Sequence, residues 1–380
     1  MRVVIAPDAF KECLSAEAVA VALADGWLRV YPDADIRCVP MADGGEGTVD
    51  ALVAATGGRH VAHTVTGPLG SPVTARYGVL GDGSIAVIEM AAASGFALVP
   101  PATRDVARAT TYGTGELIAH ALDSGCRRII VGIGGSATND GGAGMAQALG
   151  YRLLAADGAE LPPGGLALHH LARIDATSRH PAIAESEVLV ACDVENPLCG
   201  PTGASLVYGP QKGATPETAR ALDEALRHFA EVVKAQLGVD VLETPGAGAA
   251  GGLGAGLIAF TGARLRPGVA MIAEASGLEA HIAHADVVIT GEGKLDRQSA
   301  FGKTPVGVAR IARAHRVPVI AVAGALEPGF ESVYDLGINA VLGVTRAPMS
   351  LSKAITRCES ALADTAEAAA RLWRAARTGT

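Results

Sequence analysis

Several short, glycine-rich polar segments carry the residue types that chemistry on an anionic ligand requires. The first is Ala6-Pro-Asp8-Ala-Phe-Lys11, which ends an apolar run. In open α/β sheets the ligand crevice lies beyond the carboxyl ends of strands, so Asp8 and Lys11 stand where a substrate would. In Asp43-Gly-Gly-Glu-Gly-Thr48 two carboxylates lie among three glycines ahead of a helical pattern. Amides at a helix start favour anions and a carboxylate there can hold magnesium, although Asp43 would also serve as a simple helix cap. In the segment from Gly132 to Asp140, Ser136, Thr138 and Asn139 offer hydroxyl and amide groups suited to a polar substrate.

Two further segments are richer in backbone than in side chains. Gly246, Gly248 and Gly251 fit a Gly-x-Gly-x-x-Gly spacing without a convincing strand before them, which leaves a phosphate cradle and a close helix-packing segment equally open. Thr290-Gly291-Glu292-Gly-Lys294-Leu-Asp296, with Lys303-Thr304 beyond it, gathers acids and lysines at a strand end. Such a set suits nucleotide phosphates and a metal ion. Gly302-Lys303-Thr304 is not a Walker A motif, because Arg297 stands where that pattern needs glycine. A zinc site is unsupported, since no His-Glu-x-x-His occurs. So is a serine-hydrolase elbow, because Thr138 stands where that turn needs glycine. One rival remains: Gly132, Gly134 and Ala137 match the dinucleotide spacing, with Asp157 at the acidic distance. An NAD-dependent oxidoreductase acting on a small hydroxy acid is therefore the alternative reading.

The elements that would position these loops read as α/β. Val3–Ala6 is a strand pattern, followed by a helix over Ala16–Val30 with Ser15 as its N-cap, then a second strand over Ile36–Met41. The last hundred or so residues repeat the rhythm, with strands at Ala285–Thr290, Val317–Ala323 and Ala340–Val344 and one long closing helix. Between them, Val61–Ala91 holds three strand patterns separated by turn signals, which favours hairpins. Further strands at Arg128–Ile133 and Val188–Ala191, and a helix opened by Thr215-Pro216, complete a mixed region. The expectation is one parallel-sheet domain from residues 1–62 and 284–380, with a mixed α/β domain, 63–283, inserted and a cleft between them.

Composition narrows the class. The 380 residues carry 31 Lys and Arg against 39 Asp and Glu, a net charge of −8, so a nucleic-acid partner is not expected. The opening MRVVIAPDAF lacks the features of a signal peptide and no apolar run is long enough for a membrane span. Six scattered cysteines without a Cys-x-x-Cys pair read as reduced thiols of a cytoplasmic protein.

Taken together and in order, APDAFKECLSA (Ala6–Ala16), ADGGEGT (Ala42–Thr48) and GIGGSATNDGGAGM (Gly132–Met145) resemble the bacterial type I glycerate kinase family. The resemblance continues through DVENPLCGPTGAS (Asp193–Ser205), YGPQKGA (Tyr208–Ala214), PGAGAAGGLGAG (Pro245–Gly256) and TGEGKLDRQSAFGKTPVGVA (Thr290–Ala309), with Ala9 standing where a serine is expected. It implies ATP-dependent phosphorylation of a glycerate hydroxyl, with magnesium, by a monomer or homodimer whose terminal domain is Rossmann-like. On that reading Asp43 or Asp193 is the base or orients the metal, Lys11 joins them in catalysis, and Glu292 and Asp296 lie near magnesium. Asp8, Ser136, Thr138, Asn139 and Lys212 would bind the substrate, and Gly246, Gly248, Gly251, Gly291, Lys294 and Lys303 the nucleotide. The resemblance favours the 2-phosphate as product.

Overall fold

The structure is a computed structural model that describes residues 1–11, 13–300 and 303–378. Its first strands are β1 (Arg2–Pro7), β2 (Asp35–Cys38), β3 (Arg59–Thr66), β4 (Pro72–Val79), β5 (Ile85–Glu89) and β6 (Arg128–Gly132). The chain continues with β7 (Arg152–Leu154), β8 (Arg173–Asp175), β9 (Glu187–Ala191), β10 (Arg264–Arg266), β11 (Val287–Leu295), β12 (Val319–Leu326) and β13 (Ala340–Gly343). The residues group into two compact units: Met1–Asp43, Asp50–Gly57 and Pro267–Thr380 in the first, Gly44–Val49 and Gly58–Arg266 in the second.

The first unit holds an all-parallel sheet in the order β13-β12-β11-β1-β2. Val3, Val4 and Ile5 are buried whichever way they point, as expected of a strand covered on both faces. The helix Ala16–Leu28 starts where Ser15 Oγ accepts from the Ala18 amide, and it packs against the helix Cys358–Thr378. Gly26 makes that crossing possible, because a Cβ there would lie 1.9 Å from the Ala363 carbonyl oxygen. Trp27, Leu23 and Leu362 fill the space between these helices and the sheet. The helices Gly268–Ala275 and Leu278–Ile282 pack on Thr304–Ala314 and so belong to this unit.

Three elements differ from the sequence reading. The ladder of β2 ends at Cys38, although the Val39 and Met41 amides still donate to Ile5 and Pro7. β11 does not stop at Thr290: it runs through Gly291, Glu292, Gly293 and Lys294, paired with β12 as far as Leu295↔Leu326. The closing helix is two, Leu351–Thr356 and Cys358–Thr378.

In the second unit the six-stranded sheet has the order β10-β9-β6-β5-β4-β3. β3, β4 and β5 form antiparallel hairpins, whereas β5, β6, β9 and β10 run parallel. Tyr77, Phe229 and Phe260 lie in its core. The helix Pro216–Leu237 is capped by Thr215 and ends at left-handed Gly238. The dinucleotide spacing after β6 is not realised as a βαβ turn. The next helix begins only at Ala143, and Asp157 sits in an exposed turn with its carboxylate accepting from the Ala159 amide. Among the described residues no helix is long and apolar enough to cross a membrane.

Candidate functional site

Asp8 leaves the end of β1 beside β11, its amide donating to the Gly291 carbonyl at 2.8 Å. Its side chain is only 8% exposed and accepts from the Ala9 amide at 2.7 Å and from Thr304 Oγ1 at 2.5 Å. Burial pushes this carboxyl up to about 6 against the Thr304 bond, and the charge of Asp43 pushes the same way. Lys11, exposed on the same loop, acts in the opposite sense.

Glu292, on the extended half of β11, is likewise 8% exposed. Ser299 Oγ donates to Glu292 Oε1 at 2.7 Å, and Lys303 Nζ stands 3.7 Å from that oxygen. Burial drives the Glu292 carboxyl to about 7, with Asp8 and Asp296 adding repulsion. Asp296 receives the Ser299 amide at 3.1 Å and lies 3.7 Å from Lys303 Nζ and 3.1 Å from Lys294 Nζ. Lys294 also pairs with Glu327 at 3.3 Å on the surface. The first unit thus brings Asp8, Asp43, Glu292, Asp296, Lys303 and Lys11 into one electrostatically coupled group. Two carboxyls whose proton affinity is raised toward neutrality, next to ammonium groups, are suited to passing protons and neutralising phosphate.

Gly291 lies in a strand and not in the loop that the sequence suggests. It is a strand residue held between Pro7 and Val322, and a Cβ there would lie 2.3 Å from the Val322 carbonyl oxygen. Gly302, read with Lys303 and Thr304, lies outside the described residues. Among the described residues no group of three or more His, Cys, Asp or Glu is arranged to hold a metal. Glu292 and Asp296, sharing Ser299, fit the looser demand of magnesium, which takes one or two carboxylates and completes its shell with phosphate oxygens and water.

The second unit builds a different site around Lys212, which is 3% exposed. Its Nζ donates to the Thr138 carbonyl at 2.6 Å and to Ser136 Oγ at 3.4 Å. Burial pushes this amine down to about 7, although Asp140 opposes the shift. Ser136 Oγ and Thr138 Oγ1 are 3.0 Å apart, and Ser136 also donates to the Ala250 carbonyl at 3.3 Å. Asn139 points elsewhere, into the interior, where its Nδ2 donates to Ser205 Oγ at 2.8 Å. Asp193 lies exposed in the segment after β9.

Asp140, which the sequence did not single out, anchors this loop. Fully buried, it accepts from Thr111 through both amide (2.8 Å) and hydroxyl (2.9 Å) and from the Gly142 and Gly144 amides. The Gly246–Gly251 segment is closely packed. A Cβ on Gly248 would lie 2.2 Å from the Pro197 carbonyl oxygen and one on Gly251 2.0 Å from that of Thr138, while at Gly246 the Leu265 side chain is 2.5 Å away. Close packing is thus one reason for glycine at these three positions, in keeping with the packing alternative of the two sequence readings.

Tuned acids beside lysines in one unit, and a buried lysine among hydroxyls in the other, define the class: an α/β protein equipped to handle anionic ligands. The glycerate kinase family model matches residues 3–374, and the chain belongs to that family. It is 53% identical over 360 residues to a glycerate kinase of Halalkalibacterium halodurans, covering 95% of each chain. To a glycerate 2-kinase of Escherichia coli K12 the identity is 52% over 354 residues, 93% of each chain. The crystal structure of a Salmonella typhimurium LT2 protein, provisionally named glycerate kinase 2, superposes with a TM-score of 0.92 at 51% identity over 99% of each chain.

Proposed function

We propose that the protein transfers the γ-phosphoryl group of ATP to a hydroxyl of D-glycerate, with 2-phosphoglycerate as the favoured product. Membership of the glycerate kinase family and the similarity to a named glycerate 2-kinase support the substrate and the position. The structural observation that carries the reading is the coupled Asp8–Glu292–Lys303 group, whose acids are raised to about 6 and about 7. Phosphoryl transfer is largely positioning and charge neutralisation, with a base for the acceptor hydroxyl.

The roles divide by unit. Lys303, Lys294 and Lys11 neutralise nucleotide phosphates, and Asp43, next to Asp8, is the first choice for the base. Asp193, exposed in the segment after β9, is the other. Glu292 and Asp296 would hold magnesium, which would shield the β- and γ-phosphate oxygens. In the second unit Ser136 and Lys212 receive glycerate, with Thr138 and Asn139 shaping the loop behind them. Incubation with ATP, magnesium and D-glycerate, followed by phosphorus NMR, tests the reading. A phosphomonoester on C2 is expected, and absence of any phosphoglycerate would refute the assignment.

A further inference from the structure

Two of the six cysteines meet from opposite ends of the chain. Cys13 lies in the turn after β1, where its amide donates to the Phe10 carbonyl at 2.9 Å. Its Sγ donates to the carbonyl of Ile355 at 3.6 Å, three residues before Cys358, which opens the helix Cys358–Thr378. Both cysteines pack in one apolar cluster with Phe10 and Leu362. The side chain of Cys358 shares a hydrogen bond with that of Cys13. Since Cys13 spends its proton on Ile355, Cys358 is the donor in that bond, which sets the two sulfurs in contact. The two thiols are unequal. Cys358 is 6% exposed, and burial, with the Cys13 contact second, raises its proton affinity. Cys13 is partly exposed and within reach of a small oxidant. In such a pair the accessible thiol takes the oxidant and its neighbour resolves the product.

We propose that Cys13 and Cys358 form a redox modification site, closed to a disulfide by peroxides. The Cys13 sulfur, its proton released to solvent, attacks one peroxide oxygen. The O–O bond breaks, hydroxide leaves and takes up a proton as water, and Cys13 becomes a sulfenic acid. The Cys358 sulfur then attacks the Cys13 sulfur, the S–O bond breaks, and a second water departs with the Cys358 proton. Two thiols lose two electrons while one hydrogen peroxide becomes two waters. A dithiol reverses the link by exchange. The consequence reaches the candidate site through Phe10, whose carbonyl accepts from the Cys13 and Leu14 amides. Phe10 abuts Gly293, the neighbour of Glu292, where a Cβ would lie 3.5 Å from the Phe10 Cα. Sulfurs in hydrogen-bond contact must approach by more than about 1 Å to bond, and the pull falls on the segment that carries Asp8 and Lys11. That effect on turnover rests on the phosphoryl-transfer reading above; the disulfide itself does not.

The test treats the reduced full-length chain with hydrogen peroxide. Oxidised wild type loses two of its six titratable thiols and the mass of two hydrogens, and peptide mapping finds Cys13 joined to Cys358. Turnover of D-glycerate with ATP falls about 10- to 100-fold, as displacement of positioned groups predicts, and dithiothreitol restores it. Cys13→Ser forms no link and keeps its turnover within about twofold through the same treatment. Cys358→Ala repeats this control from the buried side, and Cys13→Ser suffices if that variant fails to fold. Wild type in which Cys13 and Cys358 stay unlinked, whether reduced or oxidised to sulfinic acid, overturns the site. A linked chain that turns over at the reduced rate overturns its coupling to Asp8 and Lys11. A reduced wild type that phosphorylates no glycerate refutes the kinase reading instead, while the thiol count and the peptide map still decide the disulfide.

Discussion

Thr304 Oγ1 donates to Asp8 Oδ2 at 2.5 Å, joining the first residue of the helix Thr304–Ala314 to the end of β1 across 296 positions of sequence. The bond opposes the burial that lifts the Asp8 carboxyl to about 6. Thr304→Val keeps the shape and removes the donor. Asp8 then holds its proton to a higher pH, and the acid limb of the kcat/KM profile moves upward. The loss is greatest near pH 6 and least above pH 8, where Asp8 is ionised in both proteins. A pH–rate profile measures this, and parallel curves for variant and wild type would remove Asp8 from the titrating machinery.

Glu292 gives a stability signature of definite sign. Its carboxyl titrates at about 7 in the folded chain against 4.5 as a free side chain, so between these values the native state binds more protons than the unfolded one. Stability from this group is present below pH 4.5 and is lost as pH rises through 7. Asp8, raised from 3.8 to about 6, acts in the same direction. Glu292→Gln removes the burden of a buried carboxylate, so the variant is the more stable at pH 8, by about 1–3 kcal/mol, and gains little at pH 4.5. Urea denaturation at the two pH values measures the difference, and an equal effect at both would contradict the proposed titration.

The loop behind Thr138 provides a paired test of backbone strain. Ala250 (φ 54°) and Gly251 (φ 68°) are consecutive left-handed residues, and Ala250 is one of only two such non-glycine residues described. Ala250→Gly relieves the strain and stabilises by about 0.5–1 kcal/mol. Gly251→Ala adds a left-handed side chain and drives its Cβ to 2.0 Å from the Thr138 carbonyl oxygen. That combination costs at least about 3 kcal/mol. Thermal melts rank the two variants, and a G251A protein as stable as wild type would show that the loop repacks freely.

What was legible in the chain follows from how local the signal is. Ser15 and Thr215 cap the helices expected of them because an N-cap is decided within three residues. The parallel strands β1 and β12 announce themselves as apolar runs. β11 hid its second half because Gly291, Gly293 and Lys294 have loop-like chemistry, and only pairing with β12, some thirty residues away, makes them strand. Ser299 and Asp140 went unseen for a related reason. Asp140 takes its importance from partners distant in sequence, and Ser299 from carboxylates three and seven residues away that only the fold turns toward it, although Asp140 stood inside a segment already chosen for its hydroxyls. The glycines of Gly246–Gly251 were conspicuous, but spacing alone could not separate a ligand contact from a backbone contact.

Asp43 and Asp193 are separable as bases because removal of Asp43 also changes the charge felt by Asp8. The charge of Asp43 helps to raise the Asp8 carboxyl. Removing a general base lowers turnover about 10²-fold or more. Asp43→Asn should show that loss together with a downward move of the acid limb, since Asp8 is relieved of a neighbouring negative charge. Asp193→Asn, if Asp193 is the base, should show the loss with the acid limb set by Asp8 unmoved. Turnover numbers and pH–rate profiles for both variants decide between them, and near-normal turnover in either one eliminates that residue as the proton acceptor.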